Sequence, residues 1–498
     1  MIVMGLDLSV PGEGCPHGAM INMLPNEVLV EIFDSCRINE SGLKPWKWKW
    51  IRLVHVCRRW RQIIFASPNC LNLQLLCTDG TPVTKKLGCW PDFPIALEYV
   101  NFNMVTPNDQ VHIVTLLRQQ PDRLRRLDLP LAYERARKMV IAMEKPVPAL
   151  TNLILRIKDV GFNIILPDWF LGGFAPLLQE IIIQGIAFPA LPKLLSSAQD
   201  LVSLEHFEIP ETGYISPEAI VMGLAAATRL QHLHIGLLYP FPLLSESEST
   251  PLIPYLPPVA RTVFPALASL RLMGSREYLE DFVTQVDCPR LKWIAMSYLE
   301  PPDGVYFRVP QLFGLIGRSE ILRLALAKRV DVYFAISHIT LNVNHDHDPP
   351  SQPSPITIEI DYSGLFQQVL HTVQFLRQFS VSHVEYLQMH WNGFDDSQTE
   401  IGIGDWLEFL HPFTAVKAMR VSEKLVGYLA LALENINAEM EILPALELLC
   451  LEGLSLSIDK FVSARQISGH PITVVRTLRE FYDSNLPYGK SESVPVMR

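Results

Sequence analysis

The chain has 498 residues, 49% of them hydrophobic, with 42 Lys+Arg against 52 Asp+Glu and a net charge of −10. That length implies more than one domain or one long repeat array, and the acidic balance excludes a chain-wide basic field for tracking nucleic-acid phosphates. None of the eight cysteines falls in CxxC spacing, so no zinc or redox pair is expected, and a reducing compartment, cytoplasmic or nuclear, is favoured.

Residues 1–19 read as a flexible tail. Asp7 interrupts the apolar start and no basic region precedes it, so the segment makes a poor signal peptide. No stretch approaches the ~20 apolar residues of a membrane span.

The first strong pattern is INMLPNEVLVEIF, residues 21–33. Leu24-Pro25 places a fixed φ at a helix start, and Glu27 suits the N-terminal dipole. Leu24, Val28, Leu29, Ile32 and Phe33 then form one apolar stripe at helical spacing. About twenty positions on, LVHVCRRWRQIIFASP repeats the device. Leu53, Val56, Trp60 and Ile63 make a stripe, Cys57 lies on it, Arg58, Arg59 and Arg61 face away, and the helix stops at Ser67-Pro68. Two helices this short cannot bury their stripes alone and require a partner. The competing reading is a pair of core helices in an unrelated domain. Between the halves, WKWKW (Trp46 to Trp50) mixes cations with aromatics; packing at the start of the second helix is favoured over contact with membrane or single-stranded nucleic acid.

This pair of segments resembles an F-box: LPxEVLxxIF followed by LxxVCRRWRxxxxxSP. The resemblance implies docking on a Skp-type adaptor, which joins the chain to a cullin and a ubiquitin-ligase complex. It assigns adaptor binding to Leu24, Pro25, Val28, Leu29, Ile32, Phe33, Leu53, Val56 and Trp60. The connection SCRINESGLKPWKWKW is longer than the usual F-box link.

Beyond it, a pattern LxxLxL recurs from Leu124, Leu150, Leu178, Leu204, Leu230, Leu267, Leu291, Val384, Val416 and Leu446. Its middle positions Leu127, Leu153, Ile181, Phe207 and Leu233 are separated by 26, 28, 26 and 26 residues, and Leu270 and Leu449 continue the series. Later steps stretch: Leu233 to Leu270 is 37, Leu270 to Ile294 is 24 and Met419 to Leu449 is 30, so the spacings sit at or just above the ~20–29-residue period of leucine-rich repeats. Helical segments alternate with the strands: SPEAIVMGLAAATRL with Ser216 as N-cap and Pro217 at N1, REYLEDFVTQV after Ser275, and EKLVGYLALALENI after Ser422. The expected class is α/β: an N-terminal helical F-box over residues 20–76, a linker or cap over 77–120, and an irregular leucine-rich-repeat-like solenoid over 121–480, with a tail over 481–498. The consensus Asn of such repeats is missing, and a doubly wound α/β domain is the competing architecture. Two inserts interrupt the period. Residues 243–259 hold four prolines and read as a loop; residues 344–355 read as the tip of a hairpin-like excursion between the strands ITLNV and ITIEI.

Several phrases, among them GGFAPLLQEIIIQGIAFPALPKLL, REYLEDFV, LHPFTAVKAMRVSEKLV and FVSARQISGHPI, are similar to the large F-box family of mushroom-forming (basidiomycete) fungi, over nearly the whole chain. That similarity implies an F-box followed by a leucine-rich-repeat-like region.

Catalytic motifs fail. GIGDWL at Gly402 lacks the third glycine of a phosphate turn, and GxxxxGK[ST], HExxH and GxSxG do not occur. The run His345 to Asp348 reads as an exposed polar tip rather than a metal site. The expected function is therefore a non-catalytic substrate receptor without cofactor or metal, its partners the adaptor, the cullin complex and a protein target, with no role for nucleic acid or membrane. The alternative is a repeat scaffold without ubiquitin transfer. Outward strand positions, including Arg126, Asp128, Glu205, His206, His232, His234, Arg271, Lys292 and Glu385, are where a target would be met; Arg271, Lys292, His232 and His234 are the candidates for partner contact.

Overall fold

A computed structural model describes residues 23–38, 49–67, 71, 73–78, 83, 93–99, 107–131, 133–157, 164–238, 261–299, 309–319, 321–322, 327–345, 354–361, 365–379, 381–391, 402–434, 442–452 and 458–477. The two expected tails, residues 46–48 of WKWKW, the insert at 243–259 and most of that at 344–355 lie outside them. The chain divides into two compact units, Met1–Glu98 and Tyr99–Arg498.

In the first unit, helices α1 (Asn26–Ile38), α2 (Lys49–Val54) and α3 (Arg58–Ala66) precede a parallel pair of short strands, β1 (Leu75–Cys77) and β2 (Ile95–Glu98). The second sequence stripe is not one helix. The chain turns after Val54, and Cys57 takes the extended N-cap conformation of α3, its Sγ accepting from the Trp60 amide at 3.4 Å. Cys57 is thus a half-buried cap rather than a member of the apolar stripe. Arg59 does not face away either; Arg61 is exposed but turns back to the chain before it. Arg59 donates to the Asn26 side chain at 2.9 Å and to the Leu24 carbonyl, and Arg61 donates to the Val54 carbonyl at 2.9 Å. Helix C-termini leave orphan carbonyls; Arg61 satisfies that of Val54 at the end of α2, while Arg59 ties α3 to the segment that leads into α1.

The second unit is a long open sheet of β3 (Leu124–Leu131), β4 (Asn152–Ile157), β5 (Glu180–Gln184), β6 (Ser203–Ile209), β7 (His232–Leu237), β9 (Ser269–Gly274), β11 (Trp293–Tyr298), β12 (Arg329–Phe334), β13 (His338–Asn344), β14 (Ile356–Asp361), β15 (Tyr386–Trp391), β16 (Ala418–Val421), β17 (Leu448–Glu452) and β18 (Thr473–Thr477). The short strands β8 (Thr262–Val263) and β10 (Val286–Asp287) pair separately. Strands β3 to β7, β9 and β11 lie side by side in chain order and parallel. Helices between strands pack against their successors along one side.

One ladder of apolar residues explains the stacking. Leu127, Leu153, Ile181, Leu204, Leu233, Leu270, Ile294 and Ile356 pair in register across β3 to β14, and each is buried. A second run, Val330, Leu387, Met419 and Leu449, is equally buried. Burying each such side chain contributes about 1.5–3 kcal/mol, and none can be hidden by its own strand. The first residue of each motif closes a tight turn just before the strand: the amides of Leu150, Leu178, Leu230, Leu267 and Leu291 each donate to the carbonyl three residues back.

The same turn at Leu201 corrects the register of one repeat. Its true motif is Leu201, Leu204, His206, so Leu204 rather than Phe207 occupies the inward middle position, and the steps become 23 and 29 residues. Phe207 is half-buried on the opposite face. The cause is His206, a polar residue in the third apolar place, fully buried with its ring Nε2 2.9 Å from the Ile186 carbonyl. The register then shifts between His206 and Ile209, where Glu208 adopts φ 53°, a bulge that returns the strand to phase.

The second insert is flanked as a hairpin, but not as an excursion. β13 runs antiparallel between β14 and β12 inside the main sheet, with β14 against β11 and β12 against β15. The chain skips two strand places beyond β11, then fills the gap backwards. Ser216 caps Pro217–Leu224 and Ser275 caps Arg276–Gln285 as the sequence indicates. Ser422 does not cap Glu423–Glu434 through its hydroxyl, which accepts from the Trp391 amide at 3.0 Å. Gly402 opens the helix Ile403–Leu410, its amide donating to Asp405 at 3.0 Å.

Candidate functional site

The helices of the first unit divide their apolar residues between inside and outside. Leu29 and Phe33 are buried, and Phe33 meets the Trp60 ring at 4.8 Å between centroids; these positions support the surface instead of forming it. Val28 and Ile32, one position earlier in each case, are 38% and 37% exposed, and Val56 in the turn between α2 and α3 is 59% exposed. Pro25 is exposed, while Leu24, Leu53 and Trp60 are half-buried. The outer residues come from α1 and the turn before α3, whose bases are joined by the Arg59 bonds to Asn26 and Leu24. Residues 21–67 match the family model described as F-box-like. This F-box-like segment therefore coincides with the helices whose apolar residues the unit leaves uncovered. No curated protein matches the chain.

In the second unit the face opposite the buried ladder carries most of the strand charge, and it is organised in cross-strand pairs. Arg156 bonds Asp128 at 2.8 Å, and Arg126 lies 3.5 Å from Glu180, which also accepts from Asn152 at 2.6 Å. Gln184 donates to Glu208, Ser297 to Glu359 at 3.0 Å, and Arg420 to Glu452 at 2.9 Å. Arg329 and Asp331 form a buried pair at 2.8 Å. Arg329 also donates to Gln388 at 2.7 Å and covers the Tyr386 ring at 4.4 Å. Even beside Arg329, burial pushes the Asp331 carboxyl above its ordinary range.

Of the partner candidates, the structure brings His232, His234 and Arg271 together on β7 and β9. His232 pairs with Ser269 and His234 with Arg271. His234 stacks flat on Phe207 at 5.0 Å, and burial, then Arg271, lowers its pKa to about 4, so the ring is neutral. Gly236 permits this stack: a Cβ there would meet the Phe207 Cβ at 3.1 Å. Lys292 is separate. It precedes β11 and has the alternation phase of inward Ile294, as Glu385 has that of Leu387 before β15; both belong to strand entrances, and Glu385 pairs with Lys417 at 2.9 Å. His206 leaves the outward set altogether, and burial lowers its pKa to about 4. Sequence reasoning missed Arg329, Asp331 and Gln388, although Arg-x-Asp in a strand was a signal that both charges share one face.

Among the described residues no group of three or more His, Cys, Asp or Glu is placed to hold a metal ion, and no helix is long and apolar enough to cross a membrane. Residues 346–348 of the His345 run are not among those described.

Proposed function

We propose that this protein is an F-box substrate receptor, docking through residues 21–67 on a Skp-type adaptor of a cullin-based ubiquitin ligase and presenting a protein target through its repeats. The strand-and-helix units of residues 121–480 are read as a leucine-rich-repeat-like solenoid. The observation that carries the proposal is the F-box-like match on helices that leave Val28, Ile32 and Val56 uncovered. The exposed edge of α1 meets the adaptor, while Leu29 and Phe33 hold that edge in place. Ubiquitin transfer belongs to the partner ligase, so the chain itself supplies binding and orientation in the cytoplasm or nucleus. The target meets the outward strand face, since the inward face is occupied by the core.

Co-purification of the full chain with a Skp-type adaptor tests this reading. Val28→Asp with Ile32→Asp places charge on exposed positions and spares the core. Loss of interface anchors commonly costs ~2 kcal/mol or more, roughly thirtyfold in affinity. The double variant should lose the adaptor while its thermal transition is unchanged. Undiminished recovery from the folded variant would favour a scaffold without ubiquitin transfer.

A further inference from the structure

On a strand face where charges are paired across neighbouring strands, two are not. Glu205 on β6 and Arg271 on β9 make no side-chain hydrogen bond or ion pair with any described residue, and both are half-buried. Their isolation follows from register. Glu205 sits between Ile182 and His234, and Arg271 between His234 and Ala295. Neither row neighbour can complement either charge, because His234 between them is neutral; His232, Arg156 and Arg271 attract Glu205 only at longer range, without a hydrogen bond or ion pair. Two strand spacings separate Glu205 from Arg271, about 10 Å. The flat Phe207–His234 stack, with rings 5° from parallel, lies at the middle of this row.

Resting on the reading of the strand face as the target surface, we propose that Glu205, His234 and Arg271 form a recognition site for an extended peptide segment carrying both a basic and an acidic side chain. The basic group faces Glu205, the acidic group faces Arg271, and the backbone between them crosses the His234 ring. The complementarity is specific in both directions. A segment with two acidic groups is repelled by Glu205 and by nearby Glu180, which raises the Glu205 pKa after burial does; one with two basic groups is repelled by Arg271. Such repulsion against wrong partners is a common source of specificity. Part of the desolvation cost of Glu205 and Arg271 is already borne by the folded chain, so pairing them with a ligand loses less than pairing fully hydrated charges.

The test uses the full chain and short immobilised peptides bearing one Lys and one Glu at increasing separations, with two-Lys and two-Glu controls. Wild type should bind a mixed-charge peptide at least about tenfold more tightly than either control, the scale of a close interfacial charge pair. Glu205→Gln should abolish discrimination against the two-Glu peptide, and Arg271→Gln that against the two-Lys peptide. Equal binding of all peptides, or preference for the two-Glu control in wild type, overturns the proposal. So does self-association that both substitutions abolish, since the occupant is then a second copy. Proteins captured by wild type and Arg271→Glu, compared in parallel, separate the two levels. If mixed-charge selectivity is absent but the captured set still changes, this site falls and the strand-face reading stands; if neither occurs, both fall.

Discussion

The Arg329–Asp331 stretch of the strand face and the Glu205–Arg271 stretch carry the same kinds of side chain to opposite ends. In the first, both charges lie on one strand, bond each other, and are flanked by Gln388, Asn344 and Tyr386; they are 5% and 2% exposed. In the second, acid and base stand on different strands with a neutral imidazole between them and remain half-buried. Charge on a strand face is thus internal structure where register supplies a partner, and available surface where register supplies His, Ile or Ala.

The comparison breaks most sharply under one substitution made in each stretch. Arg329→Met leaves Asp331 buried without its cation, and removing one partner of a buried pair costs about 3–5 kcal/mol. Arg271→Met breaks no hydrogen bond or ion pair, only a longer-range attraction to Glu205, and should stay within about 1 kcal/mol of wild type. Denaturant unfolding of the two variants reads the difference; equal losses would mean that Arg271 is also a structural charge.

The corrected register gives the next effect. Leu204→Ala removes a rung of the buried ladder and should cost about 2–5 kcal/mol. Phe207→Ala lies on the half-buried face and should cost distinctly less, with the loss concentrated in the His234 stack. A larger cost at Phe207, measured by thermal unfolding, would restore the simple spacing of the sequence pattern.

The smallest effect is a pH dependence. His206 titrates near 4 when folded against 6.5 unfolded, so between those values the unfolded chain binds more protons and stability rises with pH. The contribution is fully present above pH 6.5 and is lost as pH falls towards 4, to a total of about 3 kcal/mol. His234 titrates in the same window, so the readout is the part of the slope removed by His206→Gln. No change in slope would mean that the buried ring is not the group being protonated.

Much of this was legible in the chain. The helical stripe from Leu24 to Phe33 located α1, and the repeated LxxLxL placed the buried ladder, because apolar residues at a fixed period have no stable position except against their own repeats. Ser216 and Ser275 announced their helices because an N-cap acts within three residues. What failed were features set by neighbours distant in sequence. His206 in an apolar place hid the true motif, since only the Ile186 carbonyl makes a buried imidazole tolerable there. Cys57 read as a stripe member because nothing local reveals that the chain turns after Val54. The inversion of β13 depends on which edges are free when β12 arrives, a property of the sheet and not of ITLNV. The sequence by itself determined the two kinds of segment and, except around His206, the inward residues, which are matters of local propensity and hydrophobic spacing. The tertiary structure alone decided which of Val28 and Leu29 is covered, and which charges meet a partner across strands, because both depend on register between residues tens of positions apart.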